Sequence, residues 1–152
     1  RKSEQHIDFD LDLAVSQSKD NAVYYIQYAH ARVNRMVDVK APEKGITFDR
    51  SKAADYDATL LTLDAETEIL AKLAAYPEIV LRAANSYEPH QVGNYLKELA
   101  ALFHGWYNLD NTRIIDEQNI ALSQARLLLS INVQQVLRNG LELLGVSAPE
   151  TM

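Results

Sequence analysis

Apolar residues recur along this chain in the three- and four-residue steps of amphipathic helices, and no strand-like alternation is sustained. The one alternating stretch, residues 8–13, suits a short extended piece or a tight turn. A helix is predicted from the caps Asp20 and Asn21 to about residue 39, with Ala22, Ile26, Ala29, Val33 and Met36 as its buried stripe. Tyr25, Tyr28, Arg32 and Arg35 fall on the neighbouring face and form an aromatic and cationic strip. Pro42 and Gly45 end the element and open a polar loop over residues 40–57. A second helix is expected over residues 64–75, with Ile69, Leu70 and Leu73 as its apolar positions. Pro77 breaks it and starts another to about residue 85.

Pro89 suits the first turn of a helix reaching Tyr107. Its apolar arc is Val92, Tyr95, Leu96, Leu99, Leu102, Phe103, Trp106 and Tyr107, with His90, Asn94, Lys97, Glu98 and His104 on the opposite side. The last helix, residues 116–139, is apolar most of the way round between Leu127 and Leu137, which predicts a central place. Asn139–Gly140 reads as its C-cap, followed by one more turn. With short connections, the pattern defines an all-α bundle of about five to six helices.

Composition narrows the class. An apolar share of 47% in 152 residues, with 5 Gly and 4 Pro, suits a compact domain with a genuine core. The absence of cysteine excludes disulfides and thiolate metal sites, and suits a reducing, cytoplasmic setting. No apolar run approaches the length of a membrane span, and a first residue of Arg rather than Met reads as a piece of a longer protein. A net charge of −6 argues against a duplex DNA binder, whose affinity comes from many phosphate contacts. It leaves room for a reader of one short RNA loop, where stacking and base-edge hydrogen bonds dominate.

Catalytic chemistry has no footing in the residues. His6, His30, His90 and His104 show no zinc spacing, and no Glu-x-x-His pair suits a di-iron site. No glycine-rich loop cradles a triphosphate. Asp8, Asp10 and Asp12 lack the glycine and further ligand of a cation loop, and read as a solvated edge. On the residues alone this is a binding or scaffold domain. Its tyrosines serve either as core packing or as a stacking platform for bases.

Three separated blocks carry a resemblance. Residues 1–33, RKSEQHIDFDLDLAVSQSKDNAVYYIQYAHARV, residues 88–108, EPHQVGNYLKELAALFHGWYN, and residues 125–152, ARLLLSINVQQVLRNGLELLGVSAPETM, resemble the C-terminal, DALR-type anticodon-binding domain of bacterial arginyl-tRNA synthetases, in that family's order. Ala22 stands where the family's helix entry usually has proline, and Thr151 where its ending usually has arginine. Asn132 and Gln134 replace less polar or basic residues. The HIGH and KMSKS stretches that hold ATP in the family's catalytic domain are absent.

The resemblance implies that residues 1–20 belong to the tail of the catalytic or stem-contact region and residues 21–152 to the anticodon domain. It implies the anticodon loop of tRNA(Arg) as partner, with no DNA and no membrane, and a parent enzyme that acts as a monomer. ATP is expected only in the parent's catalytic domain, with no cofactor and no catalytic residue in this span. The implied RNA-contacting residues are Tyr107 as a stacking wall, Tyr28 and Tyr25 as aromatic contacts, and Met152 as an apolar contact. Arg32 is expected at a phosphate, and Gln27 and Asn108 as polar readers. The alternatives are the related domain of another class I synthetase, such as the cysteinyl or glycyl enzyme, and a helical protein–protein interaction module.

Overall fold

The structure, a computed structural model, describes residues 11–12, 16–18, 20–109 and 113–152. Most of the alternating stretch lies outside them; Leu11 and Asp12, which are described, are helical and exposed. The first long helix, α1, spans Ala22–Arg35. Asn21 caps it, its Oδ1 accepting from the backbone N–H of Val23 at 3.1 Å and of Tyr24 at 3.4 Å, so the helix starts cleanly without proline. Ala22 is exposed, one turn short of the core that begins at Ile26.

α1 does not stop near residue 39. It widens into a π turn over Met36–Lys40 and closes with Ala41–Glu43, where Pro42 occupies a first-turn position rather than breaking the helix. The loop beyond contains two 3₁₀ segments, Arg50–Asp55 and Ala58–Leu60. Helices α2 (Asp64–Ala74), α3 (Tyr76–Ser86), α4 (His90–Tyr107) and α5 (Ile120–Leu143) follow.

α5 packs against α1, α4 and α2, while α3 lies mainly against α4. Phe103, Trp106, Leu96, Leu99, Leu127, Leu129 and Leu137 fill the centre. Gly140 is interior to α5 and not its cap: a β-carbon there would stand 2.5 Å from Leu96 Cδ2, so glycine is what lets α4 and α5 touch. The helix ends at Gly145 (φ 70°), where the N–H of Gly145 bonds Glu142 O at 3.0 Å and that of Val146 bonds Leu141 O at 2.9 Å.

One buried ion pair crosses the bundle. Arg126 of α5 donates from Nε to Glu66 Oε1 of α2 at 2.8 Å and from Nη1 to Arg113 O at 2.9 Å. Glu66 Oε2 accepts from Leu63 N–H at 3.0 Å, so both partners are satisfied and the start of α2 is fixed to the long helix.

Candidate nucleic-acid interface

The chain beyond α5 runs back along α1 and is held there by side chains one helical turn apart. Gln27 Nε2 donates to Ser147 O at 2.8 Å, His30 Nδ1 to Pro149 O at 2.8 Å, and Asn34 Nδ2 to Glu150 O at 3.2 Å. Gln134 on α5 braces this face. Its Nε2 donates to Asn34 Oδ1 at 2.8 Å and His30 O at 3.2 Å, and its Oε1 accepts from Arg50 Nη1 at 2.8 Å. His30 is fully buried; burial lowers its pKa, and the nearby Arg138 adds to the effect. With Nδ1 donating, the neutral ring leaves Nε2 to accept from Arg138 Nε at 3.4 Å.

The held tail completes a cleft of about 500 Å³. One wall is the outer face of α1, with Tyr28, Arg32 and Arg35; the π turn supplies Met36, Val39 and Lys40. Tyr107, the last residue of α4, and Thr151 and Met152 of the tail close it. The Tyr107 hydroxyl accepts from Lys40 Nζ at 2.7 Å, so the widened turn and the end of α4 are tied together at the mouth.

Arg32 is fixed in place. Its guanidinium lies 4.3 Å from the Tyr107 ring centre and 4.7 Å from that of Tyr28. Nη2 donates to the Tyr28 hydroxyl at 2.9 Å and Nη1 to His104 Nδ1 at 3.2 Å. His104, expected on the polar side of its helix, is buried, and its ring packs 4.7 Å from that of Tyr25. Burial, with Arg32 beside it, pushes its pKa down to about 4, so at neutral pH the ring is uncharged and free to accept Arg32's proton donor. The reason for the misplacement is local: a neutral imidazole with both nitrogens engaged is tolerated in a core that a charged one is not.

Although the chain is acidic, basic side chains outnumber acidic ones in the cleft, Arg32, Arg35 and Lys40 against Asp38 and Glu150. Asp38 and Glu150, its two acidic side chains, have cationic neighbours, Asp38 with Arg50 at 3.7 Å and Glu150 with Arg138 at 4.0 Å. Arg35 is exposed, lines the cleft, and has no ion pair or hydrogen bond from its side chain among the described residues.

Of the seven residues expected from the resemblance, Tyr28, Arg32, Tyr107 and Met152 line this one cleft. Gln27 faces the tail, Tyr25 packs on His104, and Asn108 caps the end of α4 in an exposed position outside it. The sequence reading missed Lys40, because it ended the helix before that residue, and Asn34 and Gln134, whose partners are backbone or distant in sequence. Trp106 is core, only 1% exposed. Among the described residues no group of three or more acidic or histidine side chains could hold a metal ion, and no helix is long and apolar enough to cross a membrane.

The all-helical architecture recurs in solved structures. A Campylobacter jejuni crystal structure assigned as an arginyl-tRNA synthetase superposes with a TM-score of 0.83, covering 100% of this chain and 31% of that one at 24% identity, a likeness of fold. The chain belongs to the DALR anticodon-binding domain family, whose pattern matches residues 26–152. It is 76% identical over 152 residues to the arginine–tRNA ligase of Acinetobacter baumannii strain AYE, and 54% identical over 160 aligned residues to that of Psychrobacter sp. PRwf-1. All of this chain is covered in both cases, but it spans only about a quarter of the relatives' length: 25% and 26%.

Proposed function

We propose that this chain is the part of an arginine–tRNA ligase that reads the anticodon of tRNA(Arg). The observation that carries the reading is the single cleft uniting Tyr28, Arg32, Tyr107 and Met152 in a DALR domain. Arginine attachment, with ATP, belongs to the catalytic part of the parent, and this span needs no cofactor. The setting is the cytoplasm, the parent acts as a monomer, and neither DNA nor a membrane is a partner. Residues 1–20 form the end of the catalytic or stem-contact region, and residues 21–152 the reading domain.

Every arginine codon has G in the middle, so the base to be read is the central cytosine of the anticodon. A splayed cytosine needs a flat wall, an acceptor for its N4 amino group and a donor for its remaining edge. Tyr107 supplies the wall, Tyr28 a second aromatic contact and Met152 an apolar one. Backbone groups at the tail meet the base edge, and the three α1 donors fix where those groups stand. Arg32 holds the two tyrosines in register from its site between them. The phosphate contact first expected of Arg32 passes to Arg35, whose donors are uncommitted among the described residues. Gln27 and Tyr25 act through the tail and through His104, and Asn108 reaches the loop only from outside the cleft.

The test is binding of a hairpin carrying an arginine anticodon to Tyr107→Ala and Tyr28→Ala variants shown by circular dichroism to be folded. Loss of one base–aromatic contact, worth roughly 1–3 kcal/mol, weakens binding about fivefold or more. Changing the central C to U weakens the unaltered protein by a comparable factor. Undiminished affinity in both variants rejects the cleft as the reading site. Equal retention of the hairpin and an unrelated polyanion points instead to a protein-docking module.

A further inference from the structure

A second cleft, of about 410 Å³, adjoins the first and has Met36, Lys40 and Tyr107 in common with it. Those three residues therefore form a partition with a cavity on either side. Beyond the partition the lining changes character. Tyr28, Arg32 and the tail are absent; Ile114 and Ile115 provide an apolar floor, and Lys44 and Arg113 bring positive charge. Arg113 is exposed, and its side chain has no hydrogen bond or ion pair among the described residues; only its backbone carbonyl is engaged, by Arg126. Lys44 is paired at the rim with Glu117 at 2.6 Å, both side chains 56% exposed, a pair that an incoming phosphate can displace at little loss.

We infer that this second cleft is the subsite for the nucleotide next to the one read, its phosphate on Arg113 and Lys44 and its base or ribose over Ile115 and the Tyr107 partition. The inference rests on the anticodon-reading function proposed above. Single-stranded RNA is continuous, so a base held on one side of Tyr107 must send its backbone past that residue. The basic side chains mark a path for it. Arg35, Arg32, Lys40, Lys44 and Arg113 line the two clefts against Asp38, Glu43 and Glu150, a local excess of positive charge on a chain whose net charge is −6. The two chambers differ in what they can discriminate. The second offers cations and aliphatic surface but, in Glu43, one carboxylate as side-chain acceptor, so it grips a phosphate and tolerates any base.

The experiment measures binding of the arginine-anticodon hairpin to the unaltered chain and to Arg113→Ala and Arg113→Lys. Each hairpin is made with the phosphate on one or other side of the central cytosine replaced by neutral methylphosphonate. Arg113→Ala is expected to weaken binding five- to tenfold, Arg113→Lys less, with the preference for C over U at the central position unchanged. One of the two neutral linkages should weaken the unaltered chain about fivefold and Arg113→Ala, which keeps only Lys44 at that phosphate, distinctly less. Altering the flanking base should change affinity less than about twofold. If Arg113→Ala binds like the unaltered chain, or responds equally to both neutral linkages, the second subsite is wrong while the reading cleft stands. If the unaltered chain shows no preference for C over U, the reading cleft falls and takes this subsite with it.

Discussion

Helix α1 carries two interleaved faces that do opposite work. Gln27, His30 and Asn34 direct their donors to the carbonyls of Ser147, Pro149 and Glu150, and every bond they make is internal. Tyr28 and Arg35, each one residue on from Gln27 and Asn34, and Arg32, two on from His30, line the cleft, with Asn34 at the seam between the faces; Arg35 is left with its charge uncommitted among the described residues. A helix turns by about 100° per residue, so a register shift of one position exchanges a structural face for a binding face. The lesson is that the structural face determines the shape of the binding one: without the tail, one wall of the cleft is missing.

The largest effect should come from breaking the structural face. His30→Ala removes a fully buried ring and leaves the Pro149 carbonyl without its donor. It should lower stability by about 2–3 kcal/mol in denaturant titration and weaken hairpin binding as well, although His30 touches no ligand. Loss of stability with unchanged RNA affinity would separate the two faces and contradict the coupling.

A smaller effect follows from pH. His104 and His30 both titrate lower in the folded protein than their usual 6.5, His104 at about 4. The unfolded chain therefore binds more protons, and the stability these rings contribute is present above 6.5 and lost as pH falls toward 4. For His104 the loss should amount to about 1–2 kcal/mol after allowance for solvent screening, measured as a fall in unfolding free energy between those limits. In His104→Gln the slope should flatten; an unchanged slope would place the proton uptake elsewhere.

The smallest effect on stability belongs to the binding face. Arg35→Ala should alter unfolding free energy by less than about 0.5 kcal/mol, as exposed substitutions do. Hairpin affinity should nevertheless fall several-fold and its salt dependence should shallow. A variant that binds normally would return the phosphate role to Arg32.

Much of the bundle was legible because its punctuation is local. Asn21, Pro77 and Pro89 set helix starts that the structure reproduces within a residue or two. The centrality of α5 followed from its all-round apolar surface. What sequence could not convey is contact between distant positions. Gly140 carries the signature of a cap, yet its role is fixed by Leu96 on another helix. Arg126 and Glu66 are 60 residues apart, and neither shows in sequence that it is buried with the other. The π turn was hidden because its residues fit an ordinary helix. At the site, the Tyr28 and Arg32 strip was visible as a pattern, whereas the pairing of Tyr107 with Met152 came only from family resemblance. The docking of the tail was invisible, since carbonyl oxygens look alike in every sequence.

That anonymity has an evolutionary consequence. A strap fastened by its main-chain oxygens imposes little on the identities of the residues it is made of, so mutations can accumulate along residues 147–150 while the extremity keeps its address. Thr151, which lines the cleft, follows a stretch whose path is dictated from outside it. The side chains at the tip can change without redesigning what carries the tip there.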